Sequence, residues 1–442
     1  MDRIEISKAG SFKGKFSPTP DKSISHRAVI FSSLSKGKSI IRNLLMAEDV
    51  ISTINAFRAL GVDISEVRSQ RSEIPDLPTP NSELIINGKG LCGLKEPFDV
   101  IDCGNSGTTM RLLSGVLSGN SFFSVLTGDE SLRKRPMGRV ITPLRQMGAD
   151  IVARGEDKYP PIAIKGKKLK PIKYTLPVAS AQVKSAILLA GLYADGDTEI
   201  IEPVKSRDHT ERMIPAFGAE TKVDGLCVRI RGGIELKGTE VYIPGDFSSA
   251  AFFIIGALLI KNSDITIEGV GINPTRTGLI NALKEMGADI EIYNMRNLSG
   301  EPVADIHCKG GVELKAVNVT KEQVPALIDE FPILCVAATQ ATGTTTIRGA
   351  EELRVKESDR IKSMATELRK MGAEIEEFDD GLSIKGKGRL KGTVVESYKD
   401  HRIAMAMSIA ALIGEGTTTI DGISSVNISF PGFFDISKRL TA

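Results

Sequence analysis

LRKMGAEI at residues 368–375 decides the fold, because it is not alone. FRALGVDI begins at Phe57, LRQMGADI at Leu144, IPAFGAET at Ile214 and LKEMGADI at Leu283. Each reads as the last turn of a helix, a glycine just past it, and the start of a strand. Glycine suits that C′ position because it accepts φ > 0 without a Cβ clash. One copy is ordinary punctuation. Five copies, with Gly61, Gly148, Gly218, Gly287 and Gly372 lying 87, 70, 69 and 85 residues apart, mark an internal repeat. The period is too long for a solenoid module and suits an α/β unit with two helices.

Upstream of each copy runs a second shared pattern: an apolar run of helical period, a polar turn, then a strand-like Thr/Ile run. It reads HRAVIFSSLSKGKSIIRN from His26, TTMRLLSGVLSGNSFFSVLTG from Thr108 and VKSAILLAGLYADGDTEIIE from Val183. It recurs as SAAFFIIGALLIKNSDITIEG from Ser249, PILCVAATQATGTTTIRG from Pro332 and RIAMAMSIAALIGEGTTTIDG from Arg402. The sixth unit lacks the LxxMGA element and closes on the amphipathic tail FFDISKRL. Six units divide as three plus three. Ile243-Pro244-Gly245-Asp246 and Ser17-Pro18-Thr19-Pro20-Asp21 carry the Pro and Gly expected where a chain crosses between lobes. The expected lobes are residues 20–244, and residues 1–19 plus 245–442. Two such linkers would permit hinge closure around a ligand. The stretch from Ser65 to Asn81 reads as a surface loop.

Composition narrows the function. The 442 residues are 41% hydrophobic with 57 Lys+Arg against 55 Asp+Glu, which excludes low-complexity disorder. Near-neutral charge argues against a dedicated nucleic-acid binder, and the absence of Trp argues against extensive base stacking. Five scattered cysteines with no C-x-x-C pair fit reduced thiols in the cytoplasm. No two histidines lie at i, i+4, so a His-based metal site is not expected. The longest apolar run, Ala250 to Ile260, is too short to span a membrane. The N-terminus shows no apolar secretory h-region.

The repeat helices have unusual beginnings. Asp, Asn and Ser there are ordinary caps. Lys22, Arg27 and Arg402 are not ordinary, because a cation in the first turn opposes the positive end of the helix dipole. Bare N–H groups beside cations are what phosphate and carboxylate ligands require. The densest cluster is Arg354-Val355-Lys356-Glu357-Ser358-Asp359-Arg360, in which Lys356 and Arg360 are expected at i, i+4 on one helix face. Carboxylates among cations, here Glu357 with Asp329 on the preceding unit, have perturbed pKa values suited to proton transfer. Gly104 to Gly107 matches neither GxGxxG nor a P-loop. The residues therefore predict a cleft for a small polyanion, with acid–base chemistry and neither metal nor cofactor.

Six motifs carry a resemblance over essentially the whole chain: DKSISHR (21–27), GNSGTTMR (104–111), RPMG (135–138), SAQVK (180–184), LRVKESDRI (353–361) and DHRIAMA (400–406). Together they resemble the 5-enolpyruvylshikimate-3-phosphate (EPSP) synthase family. The resemblance implies a two-lobed α/β fold of six βαβαββ units, an inside-out α/β barrel with helix N-termini facing the cleft. It implies transfer of the enolpyruvyl group of phosphoenolpyruvate to the 5-hydroxyl of shikimate 3-phosphate, by a cytoplasmic monomer with no nucleic-acid or membrane partner. Asp329 would take the hydroxyl proton and Glu357 would protonate the enol methylene, with Lys22 completing the catalytic set. Lys22, Ser23, Arg27, Ser180, Ala181, Gln182, Ser206, Arg207, Asp329 and Lys356 would hold shikimate 3-phosphate. Lys22, Asn105, Gly107, Arg135, Gln182, Arg360 and Arg402 would hold phosphoenolpyruvate.

SAQVK, RDHTE (207–211) and NPTR (273–276) resemble the class II branch, whose members are often glyphosate-tolerant; Glu156-Asp157-Lys158 only approximates its G-D-K-x signature. Many members carry Lys before [TS]-F-P near the C-terminus, where this chain has Ile428-Ser429-Phe430-Pro431. One phosphoenolpyruvate cation is thus missing there or supplied elsewhere. The sister transferase acting on UDP-N-acetylglucosamine pairs Lys with Asn where this chain has Lys22-Ser23, and carries a loop Cys that Arg133-Lys134-Arg135-Pro136 lacks. A non-catalytic anion-binding scaffold would lack the acid and base.

Overall fold

The computed structural model describes residues 2–68 and 82–441. Six sheets lie among them, five of four strands and one of three. The second unit shows the plan without interruption. Strand Ile101–Asp102 leads to helix Gly107–Ser118, strand Phe123–Thr127, helix Gly138–Gln146, strand Asp150–Ala153 and strand Tyr159–Lys165. The first two strands pair in parallel across their helix, and the last two close the sheet antiparallel. Gly61, Gly148, Gly218, Gly287 and Gly372 all stand at φ between 83° and 102°, the left-handed turn that the repeat glycines predict.

Two units borrow a strand. The first unit's opening strand is Glu240–Tyr242, paired in parallel with Lys36–Arg42. The fourth unit's opening strand is Lys13–Phe16, paired in parallel with Asp264–Gly271. These exchanges force the chain to cross twice, and the crossings lie side by side. The Asp21 amide donates to the Pro244 carbonyl at 2.8 Å and the Asp246 amide to the Thr19 carbonyl at 2.7 Å. The three-stranded sixth sheet takes Arg3–Ser7 as its antiparallel edge against Thr417–Asp421.

Helices are inside and sheets outside. Helices Lys22–Leu34, Gly107–Ser118 and Ala181–Gly191 bury nearly every residue, the polar ones included. They centre one hydrophobic core that runs from Ile24 to Ile243. Helices Phe247–Leu259, Phe331–Gln340 and His401–Ile413 centre a second core, which also takes in Phe12 and Phe16. Phe253 lies 4.8 Å from the Phe16 ring and 5.3 Å from Phe433, so the strand Lys13–Phe16 and the last helix are tied to one helix. Each such aromatic pair contributes about 0.5–1.5 kcal/mol beyond its buried area.

Two expectations need correction. Ser65 to Arg68 is not loop but the end of strand Asp63–Arg68, antiparallel to Ser82–Lys89; the rest of that expected loop lies outside the described residues. The alternating Val62 and Ile64 side chains are buried and carry the strand past the point where the sequence turns polar. Lys356 and Arg360 do not share a helix face. A 3-10 turn at Glu351–Val355 ends at Lys356, and the helix starts only at Arg360, capped by Asp359. The cap wins because its side chain accepts from the Lys362 amide at 3.0 Å, leaving 356–358 as an irregular turn facing the cleft.

Candidate active site

All six buried helices point their N-termini at one cavity of about 290 Å³. Five are capped by a side chain. Asp21, Ser106, Ser180, Asp246 and Asp400 accept from amides two or three residues on, whereas Glu330 makes no such bond. Six aligned positive helix ends would strongly disfavour further cations unless carboxylates or ligand anions are present. The site supplies the carboxylates.

Asp329 sits just before its helix and gathers three arginines. Its Oδ2 lies 2.6 Å from Arg207 and 3.2 Å from Arg402, and its Oδ1 lies 3.5 Å from Arg360. Burial pushes this carboxyl up, but Arg207, Arg402, Arg360 and Lys356 outweigh it and hold it well below the usual range. Glu357 is built alike: Arg360 is 2.7 Å from Oε2 and Arg135 is 3.3 Å from Oε1. Burial raises it, while Arg360, Arg135, His401 and Lys22 bring it well below its ordinary value. Arg360 joins both carboxylates and is itself fixed by Asp400 at 2.9 Å. Lys356 lines the same wall, and burial lowers its ammonium pKa against the pull of Asp329.

The opposite wall comes from the first core. Lys22 reaches Asp49 at 3.0 Å. Gln182 accepts from Arg111 at 2.6 Å and donates to the Thr108 hydroxyl at 2.9 Å. Arg135 donates to Asn105 at 2.6 Å. Ser23, Gly107, Ser180, Ala181, Ser206 and Arg207 complete the expected set along this wall. The walls meet through Arg207–Asp329, Arg135–Glu357 and Arg139–Glu352, the last at 2.5 Å.

Two expected residues are not among those that line the cavity. Arg27 is 3% exposed and gives its guanidinium to the Thr210 and Ser185 hydroxyls and the Ser23 carbonyl; burial lowers its pKa to about 10. Asn105, partly exposed, lies between Arg135 and Asp129 and bonds to both. Asp49, Arg111, Arg139, Arg276 and His401 line the cavity without having been assigned a role from sequence. Arg111 had a usable signal, since it sits one turn into the helix that begins at Gly107. Ile428 closes the 3-10 turn Ile423–Ile428, away from the wall, while Arg111 and Arg139 add cations on the wall itself.

A family model described as EPSP synthase (3-phosphoshikimate 1-carboxyvinyltransferase) matches residues 6–436. The chain belongs to that family. It is 56% identical to a 3-phosphoshikimate 1-carboxyvinyltransferase of Thermodesulfovibrio yellowstonii, covering 100% of both chains. It is 50% identical to one from a Geobacter species, covering 99% and 98%. The solved EPSP synthase of Acinetobacter baumannii superposes with a TM-score of 0.86 at 48% identity, covering 100% of this chain and 98% of that one. The carboxylates and cations that line this cavity therefore belong to an EPSP synthase scaffold that extends over the whole chain.

Proposed function

We infer that this EPSP synthase transfers the enolpyruvyl group of phosphoenolpyruvate to the 5-hydroxyl of shikimate 3-phosphate and releases phosphate. The reading rests on one observation above others: Asp329 and Glu357, two carboxylates in one cleft, are held by the same Arg360. The cytoplasm suits its five free thiols.

Asp329 serves as the base. As it takes the hydroxyl proton, the oxygen bonds to C2 of phosphoenolpyruvate and Glu357 gives a proton to the C3 methylene. The tetrahedral adduct then loses phosphate as C3 returns a proton to Glu357. Positive character at C2 in both steps is stabilised by the two carboxylates. Lys22, Arg135, Arg360 and Arg402 face the phosphate and carboxylate of phosphoenolpyruvate, whereas Arg207, Ser180 and Gln182 face the acceptor's phosphate and ring.

The depressed carboxyls explain a timing problem. Glu357 needs a proton to give, yet Arg135 and Arg360 hold it ionised. An anion seated on those arginines neutralises them, and burial then dominates and raises the proton affinity of Glu357. Ligand binding thus loads the acid. Coupled release of inorganic phosphate from the two substrates tests the assignment. Turnover dependent on both supports it, and no release with either the pair or excess enzyme refutes it.

A further inference from the structure

The turn carrying Arg207 is surrounded by more buried charge than cleft chemistry requires. On its upstream side, Glu202 accepts the Ser206 amide at 3.1 Å and the Ser206 hydroxyl. Lys184, fully buried, lies 2.9 Å from Glu202 and 2.7 Å from Glu211, and reaches the Ser206 carbonyl at 3.4 Å. On its downstream side the partners come from the other core. Asn273 donates one amide to both Asp208 at 2.7 Å and Glu301 at 3.0 Å. The Thr275 hydroxyl donates to Asp208 at 3.2 Å, and Glu301 meets the His209 ring at 2.7 Å. The Asn273 turn is in turn rooted at the crossings, because Arg276 lies 3.2 Å from Asp246 and 3.6 Å from Asp21.

Buried ionic groups are a poor route to stability, since desolvation consumes most of their attraction. What they supply is a single geometry. Here the residues flanking Arg207 are gripped on one side by its own core and on the other by the opposite one. Arg207 itself makes its ion pair across the cleft, with Asp329.

We propose that Asn273 and Glu202 are positioning residues, the two jaws of a clamp that holds the backbone of Arg207 so that its guanidinium meets the acceptor's phosphate. The proposal rests on the reading of Arg207 as a phosphate-binding group. It also gives a physical task to the RDHTE, NPTR and SAQVK segments: Asp208 of the first meets Asn273 and Thr275 of the second, and Glu211 of the first meets Lys184 of the third. Rooting the far jaw at the crossings places it where lobe rotation displaces it least.

The test compares Asn273→Ala, Glu202→Gln, Arg207→Ala and the double variant Asn273→Ala/Arg207→Ala in the full chain. Shikimate 3-phosphate affinity is read by calorimetry without phosphoenolpyruvate, and KM and kcat by phosphate release, well below each variant's melting temperature. Asn273→Ala and Glu202→Gln should each weaken shikimate 3-phosphate on the order of tenfold, with the phosphoenolpyruvate KM unchanged at saturating acceptor. In the Arg207→Ala background, Asn273→Ala should add almost nothing, because both act on one interaction. Thr275→Val removes one donor and should move the same constant about twofold, which keeps the test alive if Asn273→Ala does not fold. A lowered melting temperature with unchanged acceptor affinity, or full additivity in the double variant, overturns the clamp. An unchanged affinity in Arg207→Ala instead refutes the reading of Arg207 itself, and does so independently of the jaw variants.

Discussion

The cleft's two walls are folded from the same unit and carry different charge. The first wall presents Lys22, Arg111, Arg135, Arg139 and Arg207 against a single carboxylate, Asp49. The second also presents five cations, Arg276, Lys321, Lys356, Arg360 and Arg402, but against Asp246, Asp329, Glu351, Glu352 and Glu357. A wall of cations binds anions and leaves their protons alone. A wall of alternating signs can bind an anion and also change the proton affinity of its own carboxylates as the anion arrives. Repetition of one helix-terminus design therefore gives two cationic walls, and under the proposed function the acidic residues of one of them carry the proton chemistry.

The largest effect should follow from removing that chemistry at its centre. Asp329→Asn is expected to lower kcat on the order of a thousandfold while calorimetric binding of shikimate 3-phosphate persists. The same substitution should change acid stability. Asp329 titrates below its unfolded value, so its stabilisation is present above the ordinary carboxylate range and lost as pH falls through the lower native value. Asp329→Asn should then melt earlier at neutral pH and show a shallower decline in acid. Full turnover in this variant would assign the base elsewhere and erase the contrast between the walls.

Glu357→Gln should cost on the order of a hundredfold in kcat. Its sharper signature is a proton. Wild type should take up a proton when phosphoenolpyruvate joins the shikimate 3-phosphate complex, because Arg135 and Arg360 turn from Glu357 to the ligand. Calorimetry in two buffers of different ionisation enthalpy counts that proton, and Glu357→Gln should abolish it. No uptake by wild type would mean that the second wall does not respond to its ligand.

The repeat, the crossings and the cations at helix N-termini were legible in the chain because each has a local cause: a glycine at φ > 0, a proline at a linker, a cation opposing a dipole. The strand exchange was legible only as Pro- and Gly-rich punctuation, since nothing local in Glu240–Tyr242 says that it pairs with Lys36–Arg42. Lys356 was misplaced onto a helix face because periodicity ignores a competing cap at Asp359. Arg27 is buried beneath its serine and threonine partners, a depth that residue type alone does not give. The groups that hold the Arg207 turn were hidden for other reasons: Glu202 is near in sequence but reads as an ordinary acidic residue, and Asn273 is distant and meets the turn only through packing.

The smallest change confines itself to the first wall. Gly107 opens its helix at a conformation any residue accepts, so alanine there should leave folding intact and slightly favour the helix. An added Cβ would sit 2.8 Å from Arg111 Nη1 and 3.4 Å from Arg135 Nη1. Arg111 must then give way, and it is tied to Gln182 at 2.6 Å, so the strain passes into two side chains that line the cleft. Gly107→Ala should raise the phosphoenolpyruvate KM about tenfold, with kcat at saturation and the pH profile nearly unchanged. The second wall's carboxylates are untouched by that Cβ. A fall in kcat with an unchanged KM would therefore show that the first wall does chemistry as well as binding, and the division of labour between the two walls would fail.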